Sequence, residues 1–305
     1  MKFSILVPLD GSTYAEHALP SALSIAECFG TSIHLVHVRT PSANTVHDPK
    51  IIYPSITEKE THAYLNSVRE RIQRAHPHAK IELHDLHGAV VDCLYELVLK
   101  QSFDLVSFTA HGHGPHSSHW LGSIADQLVH RLPCSMIVVR PLENERPDVA
   151  IRHSYKRLLL TLDGTAVSEA AIPPCAIFAE QMKAEIHMIR VLEPATDWDW
   201  SNLGTPTAQT DFTAIEYARE DGNRYLQQQS RSFLDKKIHV QKHLAVHPFP
   251  PLAILNEAKN HHCDLIVMGT SSKLGYPRTY LGAVADKVLR GANVSVLIHR
   301  PILKA

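Results

Sequence analysis

The chain contains the same unit twice. The segment VPLDGSTYAEHALPSALSIAECFGTSIHLVHVRTP, from Val7, aligns without a gap with LTLDGTAVSEAAIPPCAIFAEQMKAEIHMIRVLEP, from Leu160. A second segment, DLVSFTAHGHGPHSSHWLGSIADQLVHRLPCSMIVVRP from Asp104, aligns in the same way with DLIVMGTSSKLGYPRTYLGAVADKVLRGANVSVLIHRP from Asp264. Ungapped matches in the same order mean that one folding unit is used twice. The 305 residues therefore divide into two domains of ordinary size. Residues 142–155, LENERPDVAIRHSY, are charged, carry Pro147 and have no counterpart, so they read as a linker between domain 1 at 1–141 and domain 2 at 156–305.

Within each copy the apolar runs are short, β-branched and hydrophobic on both faces: Ser4–Leu9, Ile33–Val38, Leu105–Phe108 and Met136–Val139 in the first. Such runs suit strands of a parallel sheet covered on both sides. Segments of helical period, Tyr14–Cys28, Glu58–Ala75 and Val90–Lys100, lie between them. The alternation predicts an α/β fold of two tandem, doubly wound, open parallel sheets, each with five strands and four helices.

Composition removes several functions. Lys and Arg together number 30 against 31 Asp and Glu, which leaves no sequence-wide footprint for nucleic acid or an anionic membrane, and neither partner is expected. The five cysteines occur singly, without a C-x-x-C, and read as small core residues in a reducing compartment. The opening MKFSILVPLDG lacks the apolar core of a signal peptide, and no apolar stretch is long enough to span a bilayer. A cytoplasmic location is expected.

In open α/β sheets ligands lie at the carboxyl ends of the strands, so the loops there are the candidate site. The first strand ends in Pro8, Leu9 and Asp10, then Gly11 and Ser12, where Asp10 can face a ligand or serve only to cap the next helix. The second ends at His37 and Val38, whose backbone can bond a flat heterocycle. After the fourth, Phe108, Thr109, Ala110, His111 and Gly112 lead through a His-rich loop to Gly122, Ser123 and Ile124 at a helix start. Glycines without a Cβ, a hydroxyl and a helix N-terminus together suit a polyphosphate.

These residues carry a resemblance to universal stress proteins. That family has an Asp after the first strand and, after the fourth, G-x-x-G, nine residues, then G-S or G-T. The first copy is similar at Thr109, Gly112, Gly122 and Ser123, with Thr109 departing from glycine. The second copy keeps Asp163, Gly164, Gly269 and Gly282, with Val191 at the second strand end, but has Ser272 for the middle glycine and Ala283 for the hydroxyl. Pro248 aligns with Gly88. The resemblance implies the open parallel sheet, binding of an adenine nucleotide (ATP first), pairing of domains through their last strands, and a homodimer of tandem chains. The expected function is a stress or signalling protein whose nucleotide, held chiefly by domain 1, alters its association with protein partners not identified by the sequence. A nucleotide-free interaction module and a slow ATP hydrolase, with magnesium held by Asp10, are the alternatives.

No nucleophile elbow, Walker lysine loop or His-Glu-x-x-His is present, and no catalytic residue is assigned. His111, His113, His116 and His119 crowd one loop without a recognised ligand spacing, so they read as pocket or surface residues rather than a metal site. Lys273 and Arg278 in the matching loop read as solvated cations.

Overall fold

The computed structural model describes residues 3–40, 57–110, 121–140, 146–194, 212–270 and 281–301. The first copy runs β1 (Ser4–Pro8), α1 (Thr13–Glu16), α2 (Ala18–Phe29), β2 (Ser32–Arg39), α3 (Glu58–Ala75), β3 (Lys80–His87), α4 (Val90–Gln101), β4 (Leu105–Thr109), α5 (Ser123–Arg131) and β5 (Ser135–Val139). The second repeats this order: β6 (Arg157–Thr161), α6 (Ala166–Glu169), α7 (Ile172–Met182), β7 (Glu185–Leu192), α8 (Phe212–Ser230), β8 (Val240–Val246), α9 (Pro250–Asn260), β9 (Leu265–Gly269), α10 (Ala283–Gly291) and β10 (Ser295–His299). A 3-10 turn, Arg231–Lys236, follows α8.

The expected single helix over Tyr14–Cys28 is instead two, α1 and α2, broken at His17. Pro20 is the cause, because it has no N–H to donate to the carbonyl of Glu16 and its ring crowds that carbonyl. Pro173 and Pro174 stand at the same place in the second copy, which breaks between α6 and α7. By contrast, α3 keeps its expected bounds. Thr57 and Glu60 bond each other's backbone N–H in a capping box at its start.

All ten described strands form one sheet in the order β3-β2-β1-β4-β5-β10-β9-β6-β7-β8. Pairing is parallel within each copy and antiparallel only where β5 meets β10. The strand pleat sends alternate residues to opposite faces. Ile5 and Val7 join Leu19, Leu65, Cys175 and Leu226 under α2, α3, α7 and α8. Leu6 and Val36 join Leu94, Leu128, Ile254 and Val288 under α4, α5, α9 and α10. Both core layers run through both copies, so the halves share a core rather than hanging as beads on the linker. Within residues 146–155, Tyr155 is fully buried and its hydroxyl lies 2.7 Å from Ser21 Oγ.

At the junction, Ile137 faces its own repeat equivalent Leu297, with Met136 opposite Ile298 and Val138 opposite Val296. The copies are thus related by a pseudo-twofold axis. Arg300 just beyond β10 is 1% exposed and forks onto the carbonyls of Val129 and Leu132 at the end of α5. Its repeat partner Arg140 reaches the carbonyls of Leu289 and Arg290 at the end of α10. Each guanidinium supplies donors where the other copy's helix leaves carbonyls unpaired.

Three cysteines, Cys134, Cys175 and Cys263, are buried as expected of core residues, but Cys28 is exposed and Cys93 half-buried. No helix among the described residues is long and apolar enough to cross a membrane.

Candidate functional site

Strand order reverses between β1 and β4, which are neighbours although the chain has visited β2 and β3 in between. Their carboxyl ends therefore open the crevice that a doubly wound sheet offers a ligand. Gly11 turns the chain out of β1 with φ of 88°, and Gly164 repeats this with 87°, a backbone that favours glycine. Ser12, not Asp10, is the cap of α1: its Oγ accepts from Ala15 N at 3.1 Å. Asp10 sits one step behind, accepting from Ser12 N at 2.9 Å and Ser12 Oγ at 2.6 Å. Asp163 does the same for Thr165 at 2.8 and 2.7 Å, and also accepts from Ser168 Oγ at 2.6 Å. Burial works to raise the Asp163 pKa, but the bonds from Ser168 and Thr165 outweigh it and hold the carboxylate below its ordinary range.

Leu9 is buried, with its N–H on the carbonyl of Val36. Its own carbonyl is 2.8 Å from Nδ1 of the buried His37. Beneath this lies a network absent from the sequence expectations. The carboxylate of Glu16, 1% exposed, accepts from Arg71 at 2.5 Å and from Tyr64 at 3.3 Å, and Arg146 stands 3.3 Å away. Burial, then the charges of Glu16 and Asp10, push the Tyr64 phenol up, so it stays a proton donor. The repeat did carry one signal for it, since Glu16 aligns with Glu169.

At the end of β4, Ala110 N donates to the carbonyl of Val139, and Gly122 N returns to the carbonyl of Ala110 at 2.9 Å. That bond closes the loop and sets Gly122 as the cap of α5 without a side-chain partner. Ser123 is exposed and Ile124 half-buried at the helix start. Their N–H groups are first-turn donors without a partner inside the helix. Pro8 is half-buried, as are Val38 and Val191. Phe108 is 4% exposed and packs in the core, so only its backbone can meet a ligand. His111, Gly112, His113, His116, His119, Ser272, Lys273 and Arg278 lie outside the described residues.

The glycine at the end of β9 has a different use from the one the motif suggests. A Cβ on Gly269 would stand 2.2 Å from the carbonyl oxygen of Val167, so the residue lets α6 close on the strand. The first copy, with Thr109 buried there, cannot repeat that approach. Gly269→Ala is expected to cost about 1–3 kcal/mol of stability by overpacking. Urea unfolding checks this, and an unchanged midpoint would show that α6 moves aside freely.

The second copy also differs in two further ways. Arg190, at the place of His37, stacks on Tyr225 at 4.6 Å and lies 3.5 Å from where a Cβ on Gly164 would be. A cation thus flanks its first loop. Pro248 corresponds to Gly88 counted back from the helix starts, as the residue before N-caps Phe249 and Ala89, but not counted along the strands. Gly88 N bonds the carbonyl of Arg39 as His247 N bonds that of Leu192, so His247 holds the equivalent place and one extra residue precedes α9.

A continuous ten-stranded sheet with a braced acidic loop and a helix N-terminus at each reversal of strand order defines a tandem α/β protein with the same strand-end arrangement in each half. The chain belongs to the universal stress protein family, whose family model matches residues 1–140 and again 154–300. It is 24% identical over 311 residues to a universal stress protein of Mycolicibacterium smegmatis, covering 98% of both chains. A universal stress protein of Methanocaldococcus jannaschii is 30% identical over 146 residues, covering 47% of this chain and 81% of its own. The crystal structure of a universal stress protein from Archaeoglobus fulgidus covers 98% of this chain and 97% of its own at a TM-score of 0.64 and 16% identity, which shows a shared fold.

Proposed function

We propose that this protein binds an adenine nucleotide, ATP first, at the strand-end cleft of its first copy, and that occupancy alters its association with protein partners in the cytoplasm during stress. The carrying observation is the convergence at the β1–β4 reversal of the Asp10–Ser12 brace with the pinned Ala110–Gly122 start of α5. First-turn N–H groups and the Ser123 hydroxyl suit phosphate. The strand-end backbone near Val38 suits the base, and Asp10 can take a magnesium ion on the phosphates. The two last strands pair inside one chain, so a homodimer of tandem chains would meet through another surface.

Mass spectrometry of small molecules released from the denatured, untagged protein tests the reading. Adenine nucleotide at a substantial fraction of the protein is expected. Protein that carries none, and takes up none when ATP is added, would instead be an interaction module with empty clefts. Release of labelled phosphate on long incubation would add slow hydrolysis.

A further inference from the structure

Three imidazoles converge on the face of β7 and β8 that α9 covers. His187 lies four residues before the strand-end Val191, about 13 Å back along the strand. It is 2% exposed, and its Nδ1 stands 3.0 Å from Nε2 of His243 on β8. His261, just past α9, brings its ring centroid to 5.0 Å from that of His187 and 4.3 Å from that of His243. One ligand nitrogen from each lies within 4.8 Å of the others. Carboxylates stand behind them: Glu257 Oε1 is 2.8 Å from His243 Nδ1 and 3.2 Å from His261 Nε2, and Glu185 Oε1 is 3.5 Å from His187 Nε2.

His243 donates its Nδ1–H to Glu257 at 2.8 Å, so its Nε2 turns a lone pair toward Nδ1 of His187, 3.0 Å away. That lone pair accepts the His187 N–H in the metal-free pair, and with the His187 proton moved to Nε2, beside Glu185, both facing nitrogens are open to a cation. A tetrahedral zinc ion holds imidazole nitrogens at about 2.0–2.1 Å, hence about 3.3 Å from each other, close to the spacing already present. A carboxylate behind each imidazole is the arrangement that fixes histidines as metal ligands.

The first copy provides an internal contrast. His34 and His84 repeat the facing pair, again at 3.0 Å, but behind His34 stands the hydroxyl of Ser32 at 3.1 Å. The positions of Glu257 and His261 are held there by Leu97 and Gln101. In place of a third imidazole it has only Glu82, whose side chain is 61% exposed.

We propose that His187, His243 and His261 bind a divalent transition-metal ion, zinc foremost, in the second copy, with Glu257 and Glu185 orienting the rings. The half-exposed His261 side is the way in.

The untagged full chain, stripped with chelator, exposed to zinc sulfate and desalted, should retain one zinc per chain by elemental analysis. His261→Gln installs the first copy's residue at a half-exposed position and should lower zinc affinity by at least about tenfold, as should Glu257→Gln. His34→Ala and the loop double variant His113→Ala, His116→Ala should keep the metal. Because His187→Ala empties a buried site, its zinc loss counts only with an unchanged near-UV circular dichroism spectrum. Wild-type protein that retains no zinc, His261→Gln protein that retains it at full affinity, or loss in the loop double variant would each overturn the proposal.

Discussion

Gly122→Val is expected to weaken ATP binding by about a hundredfold or more, while Gly282→Val leaves the affinity of the chain unchanged. The pair is informative because neither change strains the backbone. Gly122 has φ −60° and ψ 151°, and Gly282 has φ −57° and ψ 149°, extended conformations open to any residue. A Cβ on Gly282 meets nothing within 4 Å. A loss of affinity in a variant whose thermal midpoint is unchanged therefore reports on the ligand. In the proposed site the valine at Gly122 would stand where phosphate approaches the first-turn N–H groups of α5 and the Ser123 hydroxyl, and each bond lost to a charged phosphate is worth about 1.5–3 kcal/mol. The second copy already lacks the hydroxyl at Ala283 and has a Cβ at Ser272. Calorimetric titration with ATP decides the matter. Affinity that collapses only in Gly282→Val would move the nucleotide to the second copy, where Arg190 beside Gly164 supplies a positive charge. Affinity unchanged in both would remove the nucleotide from these clefts.

What the sequence disclosed and what it hid divide along a physical line. The fold followed from local pattern: β-branched runs, helical periods and ungapped repeats are all readable within one stretch of chain. The break at Pro20 and its repeat at Pro173 was equally local, and a proline inside a helical period was the visible sign. The Glu16 network is different in kind. Tyr64 and Arg71 reach Glu16 across 48 and 55 residues, and only the docking of α3 on β2 brings them together. Likewise His187, His243 and His261 have no ligand spacing in sequence. The β7–β8 register, with Ile189 opposite His243, places the first two side by side. The extra residue between β8 and α9 is likewise invisible in the ungapped repeat, which begins only at Asp104 and Asp264. The loop histidines are crowded within nine residues of sequence, whereas the convergent ones are scattered along the chain.

Arg300→Met is expected to cost about 2–4 kcal/mol and to lower the thermal midpoint by roughly 3–6 °C. Methionine keeps most of the buried stem and removes the fork, leaving the carbonyls of Val129 and Leu132 without those donors in a site 1% exposed. Burial pulls the Arg300 pKa down only to about 10, so the guanidinium is charged at neutral pH and acts on the carbonyl end of α5 as a cation as well as a donor. Arg300→Lys separates the two contributions. It retains the charge but, as a point donor, cannot reproduce a planar fork onto two carbonyls, so an intermediate loss is expected. Arg140→Met removes the reciprocal contact onto Leu289 and Arg290 from a half-buried position and should cost less. Because each arginine reaches into the opposite copy, the effect should be cooperative: one unfolding transition shifts as a whole, followed by circular dichroism with heating. An Arg300→Met protein with an unchanged midpoint, or one in which a single half melts early while the other keeps its wild-type transition, would show that β5–β10 pairing and the shared core layers hold the copies together without the guanidinium forks.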